Sequence, residues 1–150
     1  MSKRLMSLQT TLFIAVLILV QSCSLYDSFQ RKNVETTTRL TDEAIKKSEA
    51  LQELEKVCTS VNLPEEFKFV SRGGIDDQKV TLSYYYNSDT PFGEVHNIFK
   101  KHFLEKGWTE NDLAHQYPKQ VKFYNDKYSV TLWHSSGNLS NYSVSCEKLR

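Results

Sequence analysis

Apolar and polar positions follow a different rhythm in each stretch of this chain. Leu12 to Val20 is an unbroken run of nine apolar residues, preceded by Lys3 and Arg4 and followed by the polar Gln21-Ser22-Cys23-Ser24. A positive end, an apolar core of this length and small residues beyond it form the pattern of a secretory signal. A bilayer span takes about 20 apolar residues. Ser7, Gln9, Thr10 and Thr11 interrupt any extension of the run back toward Leu5. A signal peptide over 1–22 is therefore expected, with an uncleaved membrane anchor as the alternative.

Polar residues dominate Ser24 to Thr38, so a tether over 23–40 is expected. From Thr41 to Ser60 the chain is rich in Ala, Glu, Lys, Leu and Gln, without Gly or Pro. This composition predicts a helix over 41–61. Thr41 is the expected N-cap, and Asp42 and Glu43 suit the positive end of the helix dipole. Leu51, Leu54, Val57/Cys58 and Val61 recur at steps of three and four, which places them on one stripe. The stripe can pack on the folded domain or form a short docking segment. It is too short for a coiled coil, which takes three or four heptads.

Beyond Pro64 the pattern becomes mostly strand. Phe67–Arg72 is a short strand, and Gly73-Gly74-Ile75-Asp76-Asp77 a turn. In Lys79–Asn87, Val80, Leu82, Tyr84 and Tyr86 alternate with Thr81, Ser83 and Tyr85. That alternation marks a sheet with one covered face, and the short connection predicts an antiparallel hairpin. Ser88-Asp89-Thr90-Pro91 reads as a helix start. The helix is expected over Pro91–Lys106, burying Phe92, Val95, Phe99 and Phe103 and capped by Gly107, with Trp108 folding back over its end. After a loop containing Pro118, three strands follow: Gln120–Asn125, Tyr128–His134 and Asn141–Lys148. The order β-β-α-β-β-β predicts an α+β domain over 64–150, a five-stranded antiparallel sheet with one helix across a face. Tyr85, Tyr124 and Trp133 fall on the opposite face and form a candidate aromatic binding patch. In the competing arrangement, the Thr41–Ser60 helix covers that face and buries them.

Composition narrows the function classes. Nineteen basic residues oppose eighteen acidic ones, giving a formal charge of +1. A nucleic-acid partner calls for a clear basic excess, so none is expected. Loss of Lys3 and Arg4 with the signal leaves no basic patch to attract anionic lipid. Among the histidines, His96 and His102 are six positions apart, so they do not share a helix face. His115 and His134 show no ligand cluster either, and no metal or cofactor is expected. Asp76-Asp77 lacks the ligand spacing of a calcium loop, and Glu65-Glu66 reads as solvated surface. No phosphate loop, nucleophile elbow or Ser-His-Asp pattern is present in the sequence. Asn138-Leu139-Ser140 and Asn141-Tyr142-Ser143 match the N-glycosylation pattern, which matters only in a eukaryotic secreted protein.

Val20-Gln21-Ser22-Cys23 resembles the lipobox of bacterial lipoproteins. The resemblance implies a lipidated Cys23 at the mature N-terminus and attachment to a membrane without a spanning helix, in the cell envelope. Several acyl chains together make such an anchor stable. Thr90-Pro91, Phe99, Phe103-Leu104, Lys106-Gly107-Trp108 and the strands after Gln120 resemble small extracytoplasmic domains of uncharacterised bacterial lipoproteins. The same stretch is similar to helix-grip domains of outer-membrane assembly lipoproteins. These shared features are structural, and no catalytic residue follows from them.

With Cys23 lipidated, Cys58 and Cys146 remain as a pair. Both sit on inward faces, and exported proteins meet an oxidising environment, so a disulfide is expected, with two buried thiols as the alternative. The expected function is that of an exported, lipid-anchored envelope protein with a non-catalytic binding or structural role and an envelope protein as partner. Its rivals are an unlipidated or signal-anchored carrier of a small hydrophobic ligand and an unrecognised envelope enzyme.

Overall fold

The computed structural model describes residues 28–74, 80–112, 119–135 and 140–149. The expected signal peptide and Cys23 lie outside these residues. The chain divides into Met1–Thr36 and Thr37–Arg150. In the first unit, residues 28–36 are helical where the sequence reading expects a tether. Gln30, Arg31, Lys32 and Glu35 are helix formers, and neither Gly nor Pro occurs there to break them.

In the second unit, residues 37–47 (α1) and Glu49–Cys58 (α2) are helical, separated at Ser48. Ser48 is the working cap, its Oγ accepting from the Leu51 amide at 3.4 Å. Thr41 is no cap. It lies inside α1, and its hydroxyl donates to the Thr37 carbonyl at 2.8 Å. The expected single helix over 41–61 is thus two helices, the second ending at Cys58.

Among the described residues six antiparallel strands follow, where five are expected. They are β1 (Lys68–Gly73), β2 (Thr81–Asn87), β3 (Thr109–Asp112), β4 (Gln120–Tyr124), β5 (Tyr128–His134) and β6 (Tyr142–Lys148). Their order across the sheet is β1-β2-β6-β5-β4-β3. The missed strand, β3, reads Thr-Glu-Asn-Asp and offers no apolar alternation. Its pairing with β4, Thr109 opposite Tyr124 through Asp112 opposite Val121, makes it a strand. The β1–β2 hairpin forms as expected, with an irregularity between Phe69 and Ser71.

Helix α3 spans Phe92–Leu104. Pro91 occupies the cap position rather than the first helical one, and Ser88 Oγ accepts from the Thr90 amide at 3.1 Å just before it. At the other end Gly107 takes φ +77°, a conformation that favours glycine. The Trp108 amide donates to the Phe103 carbonyl at 3.0 Å, and the two rings lie 4.7 Å apart.

Both α2 and α3 pack on one face of the sheet. Leu82, Cys146, Val130 and Phe123 form one cross-strand row of that face; Tyr84, Val144, Leu132 and Val121 form the next. Leu51, Leu54 and Cys58 from α2 and Val95, Phe99 and Phe103 from α3 are buried in the same core. The single covering helix of the sequence reading is therefore a pair. Helix α2 lies over β2, β6 and β5, and α3 over β3 and β4. The stripe on α2 finds its partner here, so it does not cover the opposite face.

Candidate functional site

The opposite face is built from the alternate residues of the same strands. One cross-strand row runs Tyr85, Ser143, Trp133, Gln120. The next runs Ser83, Ser145, Thr131, Lys122, and the third Thr81, Glu147, Ser129, Tyr124. Tyr85 and Trp133 therefore flank Ser143 in one row. Tyr124 stands four residues farther along its strand direction, about 13 Å at the usual rise. The structure brings two of the three expected patch residues into one row and separates the third. Trp133 is 47% exposed and Tyr124 38%.

An open groove of about 450 Å³ lies on this face, lined by Gln120, Thr131, Trp133, Ser143 and Ser145. None of the five is charged, and one is aromatic. Ser145 Oγ lies 2.8 Å from Ser83 Oγ. Among the described residues no hydrogen bond engages the Ser143 hydroxyl, the Thr131 hydroxyl or the Gln120 carboxamide, and all three groups are open to solvent. Tyr85 stands beside the groove in the ladder without lining it. Sequence alternation finds the face. It does not find the groove, because the small hydroxyl residues that shape it carry no hydrophobic signal.

Cys58 and Cys146 form a disulfide, with Cα atoms 5.8 Å apart. It ties the end of α2 to β6, third of the six strands across the sheet. Two further side-chain clusters hold the helices, and neither is visible in the sequence. Arg72 on β1 pairs with Asp42 of α1, and its Nη1 meets Glu55 of α2 at 2.6 Å. The Tyr84 hydroxyl donates to the same Glu55 carboxylate at 3.1 Å. Burial pushes the Tyr84 phenol up to about 12, against the opposing pull of Arg72. On α3, His96 Nε2 lies 2.6 Å from Glu110 Oε1 and Lys100 Nζ 3.0 Å from Glu110 Oε2. Burial raises the Glu110 pKa, but hydrogen bonds from Lys100 and His96 outweigh it, and the net direction is down.

The remaining histidines divide between contacts of different kinds. His102 Nε2 meets Ser60 Oγ at 3.0 Å and Lys106 Nζ at 2.9 Å. A hydroxyl beside an imidazole is the start of a nucleophile–base pair, which also needs a third group to orient the ring. Among the described residues no hydrogen bond reaches His102 Nδ1. His134 packs edge-on to Tyr142 at 4.6 Å. Burial and then Lys119 lower its pKa, while burial and then Lys106 lower that of His102. His115, Asp76, Asp77 and Asn138 lie outside the described residues. The Asn141 carboxamide clamps Ser88, accepting from its amide at 3.0 Å and donating to its carbonyl at 2.6 Å. Among the described residues no three His, Cys, Asp or Glu side chains are grouped to hold a metal ion. No helix among them is long and apolar enough to cross a membrane.

No protein-family model, curated protein or solved structure matches the chain.

Proposed function

We propose that this chain is an exported envelope protein, held to a membrane by lipid on Cys23, with a non-catalytic binding role carried by the open face of its sheet. The observation that carries this reading is the groove beside Trp133. It places an exposed indole and three unengaged polar side chains on a face that neither α2 nor α3 covers. The Cys58–Cys146 disulfide supports export, because such bonds persist in oxidising compartments and are rare in reducing ones. The interior argues against a carrier of hydrophobic ligand. Phe99, Phe103 and Phe123 fill the space between α3 and the sheet, their rings 5.2–6.4 Å apart.

The test is made on the full chain in the membrane fraction of cells that produce it. Intact mass should show a mature chain beginning at Cys23 with lipid attached. A photo-crosslinking residue at position 133 should give a discrete adduct that the same residue at Glu53, on α2, does not. An unlipidated chain, or equal crosslinking from both positions, overturns the reading.

A further inference from the structure

We infer that the groove beside Trp133 is a binding site for a neutral saccharide. The inference rests on the binding role proposed above and names its ligand class.

The lining selects by what it contains. Gln120, Thr131, Ser143 and Ser145 carry hydroxyls and a carboxamide, each able to donate and to accept. Among the described residues, the charges of this face stand outside the groove, at Lys122 in the Ser145 row and Glu147 in the row beyond. A charged ligand would therefore find no counter-charge among the five lining residues. An apolar ligand would find one apolar surface, the Trp133 indole. A saccharide ring presents alternating hydroxyls at its rim and C–H groups on its faces. The hydroxyls match a floor of donor–acceptor groups, and the C–H face matches the negative face of an exposed indole.

Ser143 forms the floor between Tyr85 and Trp133. Its hydroxyl has no hydrogen-bond partner among the described residues and is open to the groove rather than sealed in the sheet, so it can donate to and accept from a bound hydroxyl. Thr131 and Gln120 border the same groove and are likewise unengaged. Three such groups beside one aromatic platform set hydrogen-bonding partners and a stacking surface in one groove. The volume of about 450 Å³ falls in the range of small-ligand sites.

The experiment is ligand-observed saturation-transfer NMR on the full-length chain, in a detergent without sugar headgroups. The probes are N-acetylchitotetraose, cellotetraose and maltotetraose. At least one should give saturable transfer. Trp133→Ala should weaken it about tenfold or more, the equivalent of about 1.4 kcal/mol. Trp133→Phe should retain most of it, and Ser143→Val and Gln120→Ala should each weaken it. Tyr124→Ala, two rows away, should leave it unchanged. Thermal unfolding of each variant guards against a folding defect, and Gln120→Ala keeps the test valid should Ser143→Val misfold. No saturable transfer from any probe overturns the inference, as does transfer that survives Trp133→Ala. A protein adduct at position 133 without saccharide binding would overturn the saccharide and leave the binding role standing. No discrete adduct and no saccharide binding would overturn both.

Discussion

The two faces of this sheet are written by the same strands, and they do different work. In β5, Val130 and Leu132 are buried under the helices, while Thr131 and Trp133 stand on the open side. In β6 the covered set is Tyr142, Val144 and Cys146, and the open set Ser143 and Ser145. The covered side is large, branched and aromatic, sealed by α2 through a disulfide and by α3 through Phe99 and Phe103, both stacked on Phe123. The open side is made of small hydroxyls with a few aromatics. Burial of apolar area is what stabilises a domain of this size, at roughly 25 cal/mol per Å². The covered face therefore carries the stability, and the open face can carry chemistry that adds nothing to it.

The sharpest way to break this comparison is Phe103→Ala. Phe103 is almost fully buried, with ring contacts to Phe99, Phe123 and Trp108. Truncating it removes transfer energy and leaves a cavity, a loss of about 3–5 kcal/mol. Denaturant titration should show a lower midpoint with the slope unchanged. Trp133→Ala, on the other face, should stay within about 0.5 kcal/mol of the parent. Equal losses at the two positions would mean that the open face is also core.

Second in size is the disulfide. Replacing Cys58 and Cys146 together by Ala should cost about 2–4 kcal/mol, mainly because the unfolded chain is freed from an 88-residue closure. The loss should appear in oxidising buffer and largely vanish when both proteins are compared under reductant. A loss that persists under reductant would show that the sulfur atoms stabilise by packing rather than by linkage.

How far the fold could be read from sequence follows from the same division. Alternation in Val80–Tyr86 and Tyr128–His134 located β2 and β5, and Gly107-Trp108 located the end of α3, because these residues act locally. Strand β3 was not readable, since Thr109-Glu110-Asn111-Asp112 has no pattern of its own and is held by β4. The helix break at Ser48 was hidden among good helix formers on both sides. The Arg72–Asp42–Glu55 cluster joins residues 30 and 17 positions apart, a juxtaposition no short motif announces. Period two puts Tyr85, Tyr124 and Trp133 on one face, and all three stand there; that Tyr85 and Trp133 share a row while Tyr124 lies two rows away follows from register, which alternation does not give. The groove is not legible in the sequence, because serine and threonine on a strand read as solvated surface.

The smallest expected effect concerns pH, and it belongs to the covered side alone. His134 and His102 have folded pKa values lowered below the ordinary 6.5, first by burial and then by Lys119 and Lys106 respectively. As pH falls through 6.5, the unfolded chain takes up protons that these folded sites resist, so stability declines. Below the folded values both states are protonated and the decline stops. Glu110 adds a second step in the same direction. Its folded pKa lies below the ordinary 4.5, so its contribution is present above 4.5 and is lost as pH falls through the folded value. The thermal midpoint should therefore drop in two stages between neutral and strongly acidic pH. His134→Gln should flatten the upper stage and Glu110→Gln the lower one. The described residues that line the groove include no titratable group, so saccharide binding should stay constant across the upper stage while stability falls. Binding and stability that decline together there would tie the two faces to one another, and the division of labour between them would fail.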